Sequence, residues 1–320
     1  GSSLSHIGSV ETPARFLQYP CNMKRSAAAV TTSPNEPGDD PLEVRRQLFT
    51  AGGLMVPNES YKGPGKFTLV APGLGKFSDA KPIELSYFAI RALGQLQQLC
   101  CEVSGYPYRY TVMLKPHFDD HVKSTLIFGR LPLLKTPCGT ELVQSKAIVR
   151  FIAKLCGLAG SSDDEIARCD MLDEMLRTEA QIDGHAVPKL TPEIVSGAGP
   201  QDMKKISRRE MIELDDTQKL VTALKFWDAQ TQRSSTGWMQ GGLGDEGPAD
   251  LCYVDLSIYW TLRAHLVVLE TCGFTNLVAF VKKASALPGV TRLFDSGRLM
   301  PNMDGDYNYI GDDLVATPAS

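Results

Sequence analysis

Gly63-Pro64-Gly65-Lys66-Phe67 and Gly73-Leu74-Gly75-Lys76-Phe77 each set glycines ahead of a lysine, the arrangement in which backbone amides and an ammonium cradle a phosphate. In both, phenylalanine follows the lysine where that chemistry needs a Ser or Thr hydroxyl, and no helical pattern begins there. Neither is a nucleotide loop. His117 and His121, with Asp119 and Asp120, are metal-ligand types, but they lie in a polar connection and lack the HExxH arrangement, so a solvated loop is expected and no metal. The eight cysteines (Cys21, Cys100, Cys101, Cys138, Cys156, Cys169, Cys252 and Cys272) are irregularly spaced, with no CxxC pair and no zinc-type Cys/His grouping. They read as reduced thiols, several of them at apolar helix positions, which fits a reducing compartment. Tyr87 closes a strand pattern, and taken alone a tyrosine there is a half-buried packing residue.

These residues sit in a chain of 320 with 43% hydrophobic and 22% charged residues, a globular composition long enough for two domains or for one domain with extensions. A net charge of -4 without a Lys/Arg cluster argues against a nucleic-acid partner. No apolar run approaches the ~18 residues of a membrane span, so no transmembrane segment is predicted. Residues 1–80 hold 8 of the 20 prolines and the turn-rich stretch Ser33 to Pro41, and read as an irregular Pro/Gly-rich N-terminal extension. Their first 33 residues carry Arg15, Lys24 and Arg25 against one acid, Glu11, a composition that leans toward a transit peptide. The expected location is cytoplasmic, or an organelle (mitochondrion or plastid) if the extension is a processed import remnant.

From Lys81 the pattern becomes regular. Ile83, Leu85 and Tyr87 alternate with polar residues as in a strand, and Leu93, Leu96, Cys100 and Val103 recur at helical spacing. A strand through Tyr108, Tyr110 and Val112 follows, then a polar connection from His117 to Lys123, a strand near Arg130 to Leu134, a turn at Pro137-Cys138-Gly139 and a short strand Glu141 to Val143. Ser145 is placed to cap the helix whose face is Ile148, Ile152 and Leu155. The order is β-α-β, then β-β-α, over residues 81–157. Residues 158–303 read as all-helical, opening on the capping-box spacing of Ser162 and Glu165. This part is broken by a polar insertion near Pro188 to Gln201 and by an interhelix turn at Gly241 to Gly244. Its last helix runs from about Asn276 to Ala286, where Pro288 stops it, and residues 304–320 form a tail.

This order, with the strings Leu85-Ser86-Tyr87-Phe88, Lys123-Ser124-Thr125-Leu126-Ile127-Phe128-Gly129-Arg130-Leu131-Pro132-Leu133-Leu134, Val143-Gln144-Ser145-Lys146-Ala147-Ile148 and Cys156-Gly157-Leu158-Ala159-Gly160, resembles the glutathione transferase family over residues 82 to about 303. The text looks most like its sigma class, which includes the haematopoietic prostaglandin D synthases. The resemblance implies a thioredoxin-like α/β unit followed by an all-α domain. It gives Tyr87 as the catalytic residue, whose hydroxyl donates to the sulfur of glutathione. A thiol of pKa near ~8.5 is only about 3% thiolate at pH 7, so stabilising the anion by ~2 units raises the reactive fraction roughly 25-fold. Leu131 and Pro132 match the family's cis-proline turn, which offers the Leu131 backbone to the peptide-like body of glutathione. Gln144 and Ser145 match the pair that holds the γ-glutamyl end at a helix N-terminus, and Lys123 with Arg130 would hold the glycyl carboxylate.

Some positions depart from the family text. Its Arg-Gly-Arg reads Arg91-Ala92-Leu93, the tryptophan four residues before Lys123 is Asp119, and the Ser/Thr of its buried capping box is Cys252, with Asp255 retained. The acidic residue that a neighbouring subunit lends to glutathione has no clean counterpart in Arg177 to Asp183. The resemblance implies a homodimeric enzyme that joins glutathione, its co-substrate, to a small hydrophobic electrophile or isomerises one. The rival expectation is a catalytically silent subunit of a larger protein complex, anchored by the N-terminal extension.

Overall fold

The computed structural model describes residues 65–178, 191–196, 208–242 and 250–300. Its centre is one five-stranded sheet: β1 (Lys66–Ala71), β2 (Ile83–Phe88), β3 (Tyr108–Met113), β4 (Leu133–Lys135) and β5 (Glu141–Val143), in the order β1-β3-β2-β4-β5. The central pair β2 and β3 is parallel and spanned by helix α1 (Gln95–Ser104), while the other three pairings are antiparallel. Period-two alternation puts Phe67, Leu69 and Ala71 of β1, Ile83, Leu85 and Tyr87 of β2, and Tyr108, Tyr110 and Val112 of β3 on one buried face. The opposite face is more polar, with Thr68 and Thr111 hydroxyls hydrogen-bonded across β1 and β3 at 2.9 Å.

Strand β1 corrects the sequence reading, which assigned everything through residue 80 to an irregular extension. Its KFTLVA alternation lies between two Gly/Pro-rich stretches that mask a six-residue strand. Each of its residues is paired with β3, from Lys66 opposite Met113 to Ala71 opposite Tyr108. Residues 1–64 and the tail 304–320 lie outside the described residues.

Helix α1 also differs from expectation. Of the face proposed from Leu93, Leu96, Cys100 and Val103, Cys100 is fully buried and the other three are only partly buried, while Gln95, Gln97, Gln98 and Glu102 are buried as well. The helix is covered from several sides at once: α2 (Ser145–Cys156) lies against it, and so do α5 (Tyr253–Leu262) and α8 (Pro288–Asp295) of the helical part. Some of its buried polar groups find partners there, while the side-chain oxygens of Gln95 and Gln97 have none. Gln98 donates to the Tyr108 hydroxyl at 3.1 Å, and that hydroxyl donates to Glu102 at 2.6 Å. Arg292 and Arg298 close on the same carboxylate at 3.0 and 2.5 Å, tying α8 and the chain beyond it to α1.

The helical part comprises α3 (Asp163–Thr178), α4 (Arg208–Arg233), α5, α6 (Leu266–Thr271), α7 (Thr275–Ser285) and α8. At the start of α3 the Ser162 hydroxyl accepts the Glu165 backbone N–H at 3.2 Å, as its capping-box spacing predicts, whereas the Glu165 carboxylate turns to the Ser161 N–H. Pro288 does not end the architecture. It occupies the first turn of α8, where a missing N–H costs nothing and the fixed φ suits a helix start. The insertion near Pro188 to Gln201 lies mostly outside the described residues, which include a helical turn at Pro192–Val195. The Gly241 to Gly244 turn begins within a short helical turn, Met239–Gly242, and continues outside them.

Asp255 anchors this part. It accepts the backbone N–H groups of Cys252 and Met239 at 2.9 and 2.8 Å, and Cys252 completes a capping box in place of a hydroxyl residue. A second junction joins α2 to α3 and α5. Lys146 and Arg150 meet the buried Asp173, and Arg150 and the Tyr253 hydroxyl share Asp170 at 3.0 Å each.

Candidate active site at the ends of the central strands

Register brings the predicted residues to one edge of the sheet. The last paired row across β2, β4 and β5 is Ser86, Leu133 and Val143, so one step further lie Tyr87, Pro132 and Gln144. Neighbouring strands are ~4.8 Å apart, which makes these three positions adjacent. The Leu131–Pro132 peptide bond is cis, and both residues are buried.

Tyr87 is 4% exposed. Its ring lies against Gly94, where a Cβ would fall 2.7 Å from its Cγ and 2.9 Å from the Tyr110 hydroxyl. Burial pushes the Tyr87 hydroxyl up to about 12, only partly offset by a hydrogen bond from the Leu93 backbone. The group is therefore neutral throughout the physiological range and available as a donor. Burial also raises the neighbouring Tyr110, whose hydroxyl has no protein partner.

Gln144 corrects the assignment of Ser145 as the cap. Gln144 is the N-cap of α2, with φ +74° and no side-chain capping bond, and Ser145 is the first helical residue. Among the described residues Gln144 is the only non-glycine at positive φ, a conformation that costs on the order of 1–3 kcal/mol and gathers at binding sites. It is exposed, with its side chain free of the cap. Gln97 donates to the Ser145 carbonyl at 3.1 Å, so α1 fixes the start of α2.

Lys123 stands in a short helical turn, Lys123–Thr125, after two turns over Lys115–His117 and Phe118–Val122. The expected polar loop is therefore wound, and Phe118 buries itself edge-on against Phe88 at 5.2 Å. Lys123 is 57% exposed and lies 3.8 Å from Asp119, which also pairs with Lys115. The Lys115 and Lys123 ammoniums hold the Asp119 carboxyl below its usual range. Asp119 thus occupies the cation that the resemblance offers to a glycyl carboxylate. A Cβ on Gly129, at φ +55°, would contact Lys123 at 3.4 Å, so the turn leading to Arg130 and Leu131 folds back on Lys123. Arg130 is exposed.

The rings of His117 and His121 meet at a tilt, with centroids 5.0 Å apart, and among the described residues no group of three or more ligand-type side chains is assembled. The seven described cysteines are free thiols. Among the described residues no helix is long and apolar enough to cross a membrane. Sequence reasoning missed Gly94 and Gln97. The only signal for Gly94 was a glycine at the threshold of an apolar helix, and for Gln97 there was none, because a helical glutamine normally faces water.

No family model matches the chain. It is similar to glutathione S-transferase Mu 4 of Mus musculus, 25% identical over 230 residues, which are 68% of this chain and 93% of the relative. Glutathione S-transferase Mu 1 of Bos taurus is 26% identical over 232 residues, covering 69% and 94%. Among solved structures, the monomeric glutathione S-transferase Na-GST-3 of Necator americanus superimposes with a TM-score of 0.50 at 21% identity, covering 68% of this chain and 97% of that one. The sheet, the helical part that follows it and this superposition give the chain the fold of a glutathione transferase.

Proposed function

We propose that the chain is a glutathione transferase in which the Tyr87 hydroxyl holds the thiolate of bound glutathione for attack on a hydrophobic electrophile. The observation that carries this is the row Tyr87, Pro132 and Gln144, with a buried, neutral phenol at its inner end, toward the middle of the sheet. A thiolate needs a donor that does not itself ionise, and a hydroxyl raised to about 12 remains one through the neutral range. Pro132 turns the Leu131 backbone toward the ligand's peptide-like body, Gln144 and Ser145 meet the γ-glutamyl end, and Lys123 with Arg130 meet the glycyl carboxylate once Lys123 exchanges Asp119 for it. In this reading glutathione is the co-substrate and supplies the nucleophilic sulfur. The sigma-like character rests on the local motifs alone, since the Mus musculus and Bos taurus relatives named above are Mu enzymes. Self-association is supported by Ile127 and Phe128, adjacent side chains 80% and 57% exposed at the turn beside Lys123.

Calorimetric titration of reduced glutathione at neutral pH tests the reading. Saturable binding with Kd in the range of ~1 μM to 1 mM is expected, together with turnover of an electrophile that falls in Tyr87→Phe. Absence of binding would overturn it. Leu93, standing where the family carries an arginine beside the tyrosine, favours the second reading, a silent subunit held in an assembly by its N-terminal extension. That reading requires the chain to leave its complex when residues 1–64 are removed.

A further inference from the structure

We infer that the edge strand β1 is a positioning element for the glutathione site: the residue that leads into it, Gly65, fixes the wound segment that ends at Lys123. The inference rests on the proposed glutathione site and deepens it. The Gly65 carbonyl accepts the Leu114 N–H at 2.9 Å, extending the β1–β3 ladder one step past Lys66 opposite Met113. The next turn, Lys115–His117, then lies directly against Gly65. A Cβ there would fall 2.7 Å from His117 Cβ and 2.9 Å from its Cγ and Nδ1. Because the nearest of these atoms is a Cβ and not the end of a flexible side chain, relief requires the backbone of the turn to move. His117 in turn meets His121, two residues before Lys123, in a tilted ring contact. The segment is held on its other side by Phe118 against Phe88, next to Tyr87. It is thus clamped between β1 and the strand that carries the phenol, and the β1 side of the clamp depends on the close approach that glycine permits.

The strand therefore matters to binding more than to chemistry, since it governs where the Lys123 ammonium sits and leaves Tyr87 in place. The full chain is to be compared with Gly65→Ala, with His117→Ala, which removes the ring from the contact, and with Val70→Ala, an exposed change on the same strand. The readouts are glutathione Kd, kcat at saturating glutathione, and amide hydrogen exchange over residues 115–123. Gly65→Ala and His117→Ala are expected to weaken glutathione about fivefold or more, with kcat within about twofold and faster exchange over the segment, and Val70→Ala to change none of these. If Gly65→Ala does not fold, His117→Ala decides. Unchanged Kd and exchange in a wild type that does bind glutathione would overturn the positioning role alone. A wild type that binds none would overturn the site itself, and the positioning role with it.

Discussion

Tyr87 and Gly94 are in contact through the face of the phenol ring, which passes 2.7 Å from where a Cβ on Gly94 would stand. Gly94 precedes α1 with an ordinary φ of −84°, so the glycine serves approach and not backbone freedom. Gly94→Ala should press on both the Tyr87 ring and the Tyr110 hydroxyl and cost ~1–3 kcal/mol of stability by overpacking. It should also lower turnover more than glutathione affinity, because it displaces the hydroxyl while leaving Gln144 and Lys123 alone. Denaturant melts paired with kcat and KM check this, and wild-type kcat would show that the ring has room to spare.

The Tyr87 hydroxyl itself should be nearly silent in stability and large in rate. Tyr87→Phe removes a group held neutral by burial, so the change in stability should stay within about 1 kcal/mol while the rate falls by about 10-fold or more. The pH dependence follows from the direction of the shift. The folded state favours the protonated phenol, so its contribution to stability is whole below pH 10 and is lost as pH rises from 10 through about 12. The wild type should lose stability across that alkaline interval and the phenylalanine variant should lose less.

The sequence made the architecture legible where period and punctuation agree. Ile83, Leu85 and Tyr87 alternate into a buried strand face, and Gly157 ends α2 in a left-handed cap. Of the site, the strings around Tyr87, Pro132 and Gln144 stood out because the resemblance covers them. What stayed hidden depends on neighbours distant in sequence. The strand Lys66–Ala71 became a strand only by pairing with β3, and its flanking Gly and Pro residues resembled an unstructured arm. Gln95, Gln97 and Gln98 are polar by type, yet α5 and α8 return from the end of the chain to cover them. Pro288 carried a stop signal that serves equally as a start.

Glu102 gives a stability prediction at that same junction. Its carboxylate is 2% exposed between Arg292, Arg298 and the Tyr108 hydroxyl. Glu102→Ala removes the counter-charge from the largely buried Arg298 and weakens the hold on Arg292, which is 35% exposed and can turn to water, a loss of about 3 kcal/mol. Because the pairs join α1 to the end of the helical part, amide exchange should rise in α8 before it rises in the sheet. A uniform rise would instead mark global unfolding.

Asp255 gives the acid-side counterpart. Burial pushes its carboxyl from 3.8 up to about 6, against the pull of the Met239 and Cys252 N–H groups. A folded pKa above the unfolded one means that folding favours the protonated acid. The contribution to stability is therefore complete below pH 3.8 and declines as pH rises through about 6, opposite to the behaviour of a salt-bridged carboxylate. Asp255→Asn abolishes the titration and should flatten that interval, although an amide can accept only one of the two backbone donors with its oxygen. Its stability at pH 7 should fall by about 1–3 kcal/mol, the cost of leaving one buried N–H unmet. Urea denaturation at a series of pH values from 4 to 7 measures both effects. A wild-type curve no steeper there than that of Asp255→Asn would mean that the two N–H bonds, and not desolvation, set the charge of this residue.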